Sequence, residues 1–160
     1  MQSDCTYLPY SSTGYFSTMV ADYITGENEL KPFYDFAATI EGVKAAMAVR
    51  KQFATNRSLL VNVLNEQYRH LQLSQKQKEY INLLSNENTF TVCTAHQPNI
   101  FTGYLYFIYK IVHAITLAET LTNEIANCHF VPVFYMGSED ADLEELGQIY
   151  LDGKKYEWKT

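Results

Sequence analysis

Two stretches of this sequence hold residues whose types and spacing can do chemistry. The first is the run AHQPNIFTG at 95–103, which opens on His96 and Gln97 and closes on Thr102 and Gly103. A histidine there can donate to an anion, or act as an acid or base near neutral pH. Thr102 or Gly103 delivers the chain to a helix, whose first N–H groups and dipole favour a phosphate or carboxylate. Taken alone, the loop reads more simply as an N-cap at Thr102 beside a satisfied histidine. It is neither a GxxxxGK[ST] phosphate loop nor a GxGxxG fingerprint.

The second stretch is GSEDADLEEL at 137–146, with acids at Glu139, Asp140, Asp142, Glu144 and Glu145. Carboxylates in a loop can bind an ammonium group, hold Mg²⁺ through waters, or serve as a general base. Glu144 and Glu145 read as first-turn acids that stabilise a helix. For Glu139, Asp140 and Asp142 chemistry is the stronger reading, provided that their loop faces His96. Lys110 interrupts an apolar helix and either reaches an anion or snorkels to solvent.

The elements between these stretches decide whether they meet. Phe90–Ala95 is short, β-branched and aromatic and reads as a buried strand. Tyr104–Leu121 reads as a long helix, apolar at Leu105, Ile108, Ile111, Val112, Ile115 and Ala118. Phe130–Met136 reads as a second strand, paired from Pro132 onward because proline cannot donate to a ladder. Strand, long helix, strand makes a right-handed βαβ unit with parallel strands. Ligands of such sheets bind beyond the carboxyl ends of the strands. Topology therefore predicts that His96 and the 139–142 acids share one sheet edge, although more than forty positions separate them. Downstream, Asp152-Gly153 between two alternating runs predicts a β-hairpin over 148–158.

The first 89 residues read as helices. Ser12 or Thr13 caps one that runs through Ile24 and closes at Gly26. Thr39 caps a second, with Ile40, Val43, Met47 and Ala54 on one stripe. Leu60, Val63, Leu64, Tyr68 and Leu71 form a third stripe, and Ser74 caps a helix bearing Tyr80, Ile81 and Leu84. These stripes, like the 13 tyrosines, read as core packing.

Composition narrows the function further. The chain has 160 residues, 47% of them hydrophobic and 19% charged, as in globular proteins of about one domain. Its net charge of −6 argues against nucleic acid and an anionic membrane surface as partners. Five of the nine acids after residue 89 fall within 139–145, so the acidity is local. Cys5, Cys93 and Cys128 are too widely spaced for a zinc knuckle or disulfide framework, which favours a reducing cytoplasm and no metal site. Cys93, in a buried strand, reads as inert, and Cys128, His129 and His113 as structural or surface residues. The N-terminus has no signal-peptide pattern, and no apolar run reaches the ~18 residues of a membrane span.

The runs TAHQPNIFTGYLYFIYK and FVPVFYMGSEDADLEEL together resemble the bacillithiol-biosynthesis cysteine-adding enzymes, the cysteine ligase family. TGYFSTMVADYITGENELKPFYDF resembles the family's opening region, so the likeness covers essentially the whole chain. His96 stands where the first of two family glutamines is common, Gln97 keeps the second, and Ala141 replaces a histidine between the acids. The resemblance implies an α/β fold: a helical region leading into a Rossmann-like parallel βαβ unit and a C-terminal hairpin, one partial Rossmann domain over 1–160. It also implies that the chain is the N-terminal part of a longer enzyme, with connecting and coiled-coil domains beyond it, and that the whole is a cytoplasmic homodimer.

The implied reaction joins cysteine to glucosaminyl-malate through an amide, the last step of bacillithiol synthesis. In it His96, Asp140 and Asp142 would be catalytic, and Gln97, Thr102, Gly103, Lys110 and Glu139 would bind substrate. Amide formation needs an activated carboxyl, so ATP or another nucleotide, with Mg²⁺, is a possible cofactor. Two other readings stay open: a class I-type nucleotide-binding transferase acting on another small acid, and a non-catalytic interaction domain.

Overall fold

The computed structural model describes residues 4–140 and 142–159. The chain divides into two compact units, residues 1–54 and 55–160. The first unit is helical. A short turn of helix α1 (Tyr10–Thr13) is stopped by Gly14 at φ 71°, and α2 (Thr18–Thr25) starts afresh after Ser17. The single helix expected from Ser12 or Thr13 is therefore broken, because a residue in the left-handed region ends one helix before the next begins. Gly26 closes α2 as expected, at φ 78°. Helix α3 (Ile40–Arg50) is capped by Thr39, whose side chain accepts from the Gly42 N–H. Met47 is buried and Val43 half-buried, whereas Ala54 lies past the end of the helix and is exposed.

The second unit opens with α4 (Arg57–Tyr68) and α5 (Gln75–Leu83). Ser74 and Gln77 form a reciprocal capping box at the start of α5, which satisfies two free N-terminal donors. Ile81 and Leu84 are buried. The α4 stripe is not core: Leu60, Val63 and Tyr68 are exposed, as is Leu71, which lies past the end of the helix at 61%. A two-stranded sheet offers too narrow a layer to cover it.

Strand β1 (Thr89–His96) pairs in parallel with β2 (His129–Met136), and α6 (Leu105–Glu124) crosses between them. This is the expected βαβ unit, with each element slightly longer than its apolar run. Pairing begins at His129, before Pro132 and not from it onward as expected, and Pro132 itself stands in register with Val92. The His129 and Gly137 N–H groups both point to β1, donating to Asn88 O and His96 O at 3.0 Å. Alternate residues, Pro132 among them, face away, so the missing donor costs the ladder nothing.

Ala114, Ala118 and Leu121 of α6 are buried, as are Phe130 and Val131 of β2. Phe107 packs edge-on to Phe134 at 5.4 Å, and Phe90 stacks on Phe130 at 5.8 Å. Leu105, Ile108, Val112 and Ile115 lie on the exposed side of α6. Cys93 also proves exposed rather than buried. Along β1 the exposed residues Thr91, Cys93 and Ala95 alternate with more buried ones, so its side chain takes the uncovered face of the sheet.

Arg57 fastens the start of this sheet. Its guanidinium donates to Leu84 O (2.9 Å), Glu87 O (3.3 Å) and Thr89 O (3.0 Å), tying α4 to the chain that enters β1. Removing it strands carbonyls that only a planar fork spans. Arg57→Ala is expected to lower unfolding free energy by about 1.5–3 kcal/mol, the range for hydrogen bonds to a charged group. Urea denaturation checks this, and Arg57→Lys should not restore the loss.

After β2, the single turn α7 (Leu143–Leu146) precedes the antiparallel hairpin β3 (Gln148–Leu151) and β4 (Lys154–Glu157). Asp152 and Gly153 occupy its turn at φ 48° and 74°, the two positive values of a type I′ turn.

Candidate functional site

His96 is the last residue of β1, and Gly137 follows directly after β2. The Gly137 N–H donates to His96 O at 3.0 Å, so the two loops leave the sheet side by side. Between them lies an open cavity of about 380 Å³, lined by Ala95, His96, Gln97, Tyr135, Gly137, Glu139 and Asp140. The parallel register, His96 opposite Met136, is what brings these distant positions together.

The His96 ring is held at both nitrogens. Nδ1 lies 3.0 Å from Gln97 O and 3.0 Å from Asn99 Nδ2, and Nε2 lies 2.7 Å from the Tyr106 hydroxyl. Phe107 packs edge-on against the ring at 5.4 Å. Asn99 in turn donates to Gln97 O at 3.2 Å. Gly103 fits against Asn99: it has φ 63°, and a Cβ there would lie 2.8 Å from Asn99 Cβ and Cγ. Its place in this loop is backbone geometry, with no side chain to offer a ligand.

On the acidic side, the Tyr135 hydroxyl donates to Glu139 Oε1 at 2.7 Å. Glu139 is held below the usual carboxyl value, first by its own backbone N–H and then by Tyr135. Tyr135 is raised, because its proton is bonded to a carboxylate. The Glu139 contribution is present above the ordinary carboxyl range and is lost as pH falls through the lowered value. That of Tyr135 is present below the ordinary phenol range and is lost as pH rises through the raised value. The bond therefore spans the whole neutral range. Tyr135→Phe is expected to move the Glu139 titration upward, only part of the way because the backbone N–H remains. Carboxyl ¹³C NMR reads this directly, and an unmoved titration would contradict it. Asp140 is exposed at the rim, and among the described residues no hydrogen bond or ion pair holds it.

The other candidates fall outside the cavity lining. Asp142 caps α7, its Oδ1 accepting from the Glu144 N–H at 2.9 Å. Thr102 does not cap α6: that position is taken by Tyr104, which offers no side-chain cap. Phe101 and Thr102 instead have φ 47° and 69°, so a tight turn precedes the helix. Lys110 neither reaches into the cavity nor runs free to solvent: it is half-buried and its ammonium donates to Ala95 O. Ala141, between the acids, lies outside the described residues. Tyr106, Asn99 and Tyr135 escape the reading of the sequence; the only signal was Asn99 three positions after His96 in a short loop.

The Glu139–Asp140 side of the cavity presents carboxylate oxygens of the kind that bind an amine or cation, while the His96 ring nitrogens on the other side are bonded within the chain. Among the described residues no three His, Cys, Asp or Glu side chains converge to hold a metal ion. No helix among them is long and apolar enough to cross a membrane.

The family described as "Bacillithiol biosynthesis BshC, N-terminal Rossmann-like domain" matches residues 1–160. A protein of Flavobacterium johnsoniae named "Putative cysteine ligase BshC" is 40% identical over 99% of this chain and 30% of its own length. One of the same name from Flavobacterium psychrophilum is 40% identical over 100% of this chain and 30% of its own. A third, from Bacillus licheniformis, is 34% identical over 85% and 25%. The chain thus spans about 30% of the length of the first two.

Proposed function

We propose a function for a chain that belongs to the family of bacillithiol biosynthesis BshC N-terminal Rossmann-like domains: it is the N-terminal part of a ligase that adds cysteine to glucosaminyl-malate. One observation carries the reading. In a chain of this family, the carboxyl edge of the parallel pair brings His96 and Gln97 against Glu139 and Asp140 around one cavity. An amide-forming site needs such opposed ends, one for a carboxyl group and one for an amine that must lose a proton.

In this reading the glucosamine amine lies against the acidic loop. Asp140 takes its proton, and the nitrogen forms the new bond to the carbon of an activated cysteine carboxyl, whose oxygen leaves together with the activating group. Glu139, an acceptor already tied to Tyr135, orients the amine. The His96–Gln97 loop orients the carboxyl oxygens. Activation of the carboxyl falls to a nucleotide such as ATP. The described residues do not by themselves bring three His, Cys, Asp or Glu side chains together as a Mg²⁺ ligand set. The resemblance further supports a cytoplasmic homodimer as the working form.

Thiol profiling of the source organism with the whole gene deleted tests the function. Loss of bacillithiol with accumulation of glucosaminyl-malate is expected. Bacillithiol levels equal to the parent strain's would overturn the reading for this gene.

A further inference from the structure

Phe101 is held in the open at a conformational cost. Phe101 and Thr102 both stand in the left-handed region, at φ 47° and 69°, where a side chain crowds its own backbone. The turn they make leaves Phe101 78% exposed. Strain of this kind gathers at segments that hold a ligand. Tyr156 of β4 and Trp158 just after it are exposed as well. These three rings, with Ile100 and Glu157, line a cavity of about 430 Å³, within the size range of small-molecule sites.

The wall that the hairpin gives this cavity is fixed. Ile149, opposite Tyr156 in the register, is buried, and the Trp158 N–H donates to Gly147 O at 2.7 Å. The cavity is also close to the one at the sheet edge. Gln97 lines that cavity and Ile100 this one, and the chain between them spans at most about 11 Å.

Charge decides what the rings take. Four Lys or Arg residues follow residue 89: Lys110, Lys154, Lys155 and Lys159. Lys110 is bonded to Ala95 O. The other three flank Tyr156 and Trp158, with Glu157 the one acid among 154–159. Lys155 and Lys159 share its carboxylate at 3.3 and 3.7 Å, in exposed and therefore weak pairs. Lys154, on the strand face of Tyr156, has no hydrogen bond or ion pair among the described residues. This surplus of positive charge disfavours the quaternary ammonium that an aromatic cradle otherwise suits. The sheet-edge cavity has the opposite character: Glu139 and Asp140 line it, no Lys or Arg does, and it repels phosphate. Rings beside lysines are the combination that binds a nucleotide, through base stacking and paired phosphates.

We propose that Phe101, Tyr156 and Trp158 are the base-stacking cradle for a nucleoside triphosphate, with Lys154, Lys155 and Lys159 as the cations for its phosphates. When bound, the nucleotide supplies the activation of the carboxyl. The proposal rests on the ligase reading for the need for such a nucleotide, and on the rings and lysines alone for where it sits.

The test uses the intact protein, with ATP and adenosine as probes and binding followed by calorimetry. ATP is expected to bind saturably and more tightly than adenosine, with an affinity that falls as salt is raised. Trp158→Ala and Phe101→Ala should each weaken both probes about tenfold, the loss for one stacked ring. Lys154→Ala should weaken ATP about threefold and leave adenosine where it was. All three side chains are exposed, so melting curves should match wild type. Photolabelling with 8-azido-ATP, competed by ATP, should mark the peptides that hold Phe101 or Trp158.

ATP affinity unchanged in both aromatic variants, adenosine bound as tightly as ATP, or label confined to other peptides would each overturn the site. Its failure and that of the ligase reading look different. ATP binding that depends on the rings, without ligation, keeps the cradle and removes the ligase reading. Ligation that needs ATP, with normal ATP binding in both aromatic variants, keeps the ligase reading and removes the cradle.

Discussion

Asp140→Asn in the intact protein is expected to cut product formation by about 10²–10⁴-fold, the usual contribution of a general base, and to leave thermal unfolding where it was. The stability half follows from the setting of the side chain. Asp140 is exposed at the cavity rim, and among the described residues nothing is held by it. The activity half follows from elimination within the acidic loop. Glu139 is engaged by Tyr135, and Asp142 is spent on capping α7. Asp140 is thus the cavity carboxylate with its oxygens open to an amine proton. Asp142→Asn should behave differently, since an asparagine caps a helix nearly as well as an aspartate. Its turnover should stay close to wild type. Wild-type turnover in Asp140→Asn, measured beside an unchanged melting curve, would remove Asp140 from the mechanism.

Leu121→Ala is expected to be the most damaging of these changes to the fold, costing about 2–5 kcal/mol against a total stability of about 5–15 kcal/mol. Leu121 is only 2% exposed, on the side of α6 that also buries Ala114 and Ala118. That side packs on the β1–β2 pair, and Thr122 next to it accepts from the Phe130 N–H at 3.1 Å. A cavity at 121 therefore loosens the entry to β2. The contrasting change is Leu71→Ala, exposed just past the end of α4, which should cost under about 0.5 kcal/mol. Paired denaturation curves check the contrast. Equal losses at 121 and 71 would show that the sheet layer does not carry the stability of this unit.

The part of the site legible in the sequence is the part that topology alone determines. A strand–helix–strand order places both loops at one sheet edge, and the register of His96 with Met136 delivers that juxtaposition. The caps at Thr39 and Ser74 and the Asp152-Gly153 turn were legible for a similar reason, since each is a bond between near neighbours. Arg57 was not, because its three carbonyl partners lie 27–32 positions away. Nor was Tyr106, ten positions from His96: the meeting depends on positive φ at Phe101, Thr102 and Gly103, which amino-acid type predicts only at the glycine. The capping bond of Asp142 also had its signal in the sequence, since an aspartate immediately before LEEL is an ordinary N-cap. Helix stripes such as α4 mislead for another reason. Periodicity shows which residues share a face, while burial depends on whether another layer reaches that face.

The most direct test of the central claim is ligation by the purified intact protein, supplied with cysteine, glucosaminyl-malate and ATP and followed by mass spectrometry. The predicted result is a product with the combined mass of the two substrates less one water, formed by wild type and lost in Asp140→Asn. Formation of that product at equal rates by both proteins would contradict the site. Its absence from wild-type reactions would contradict the function.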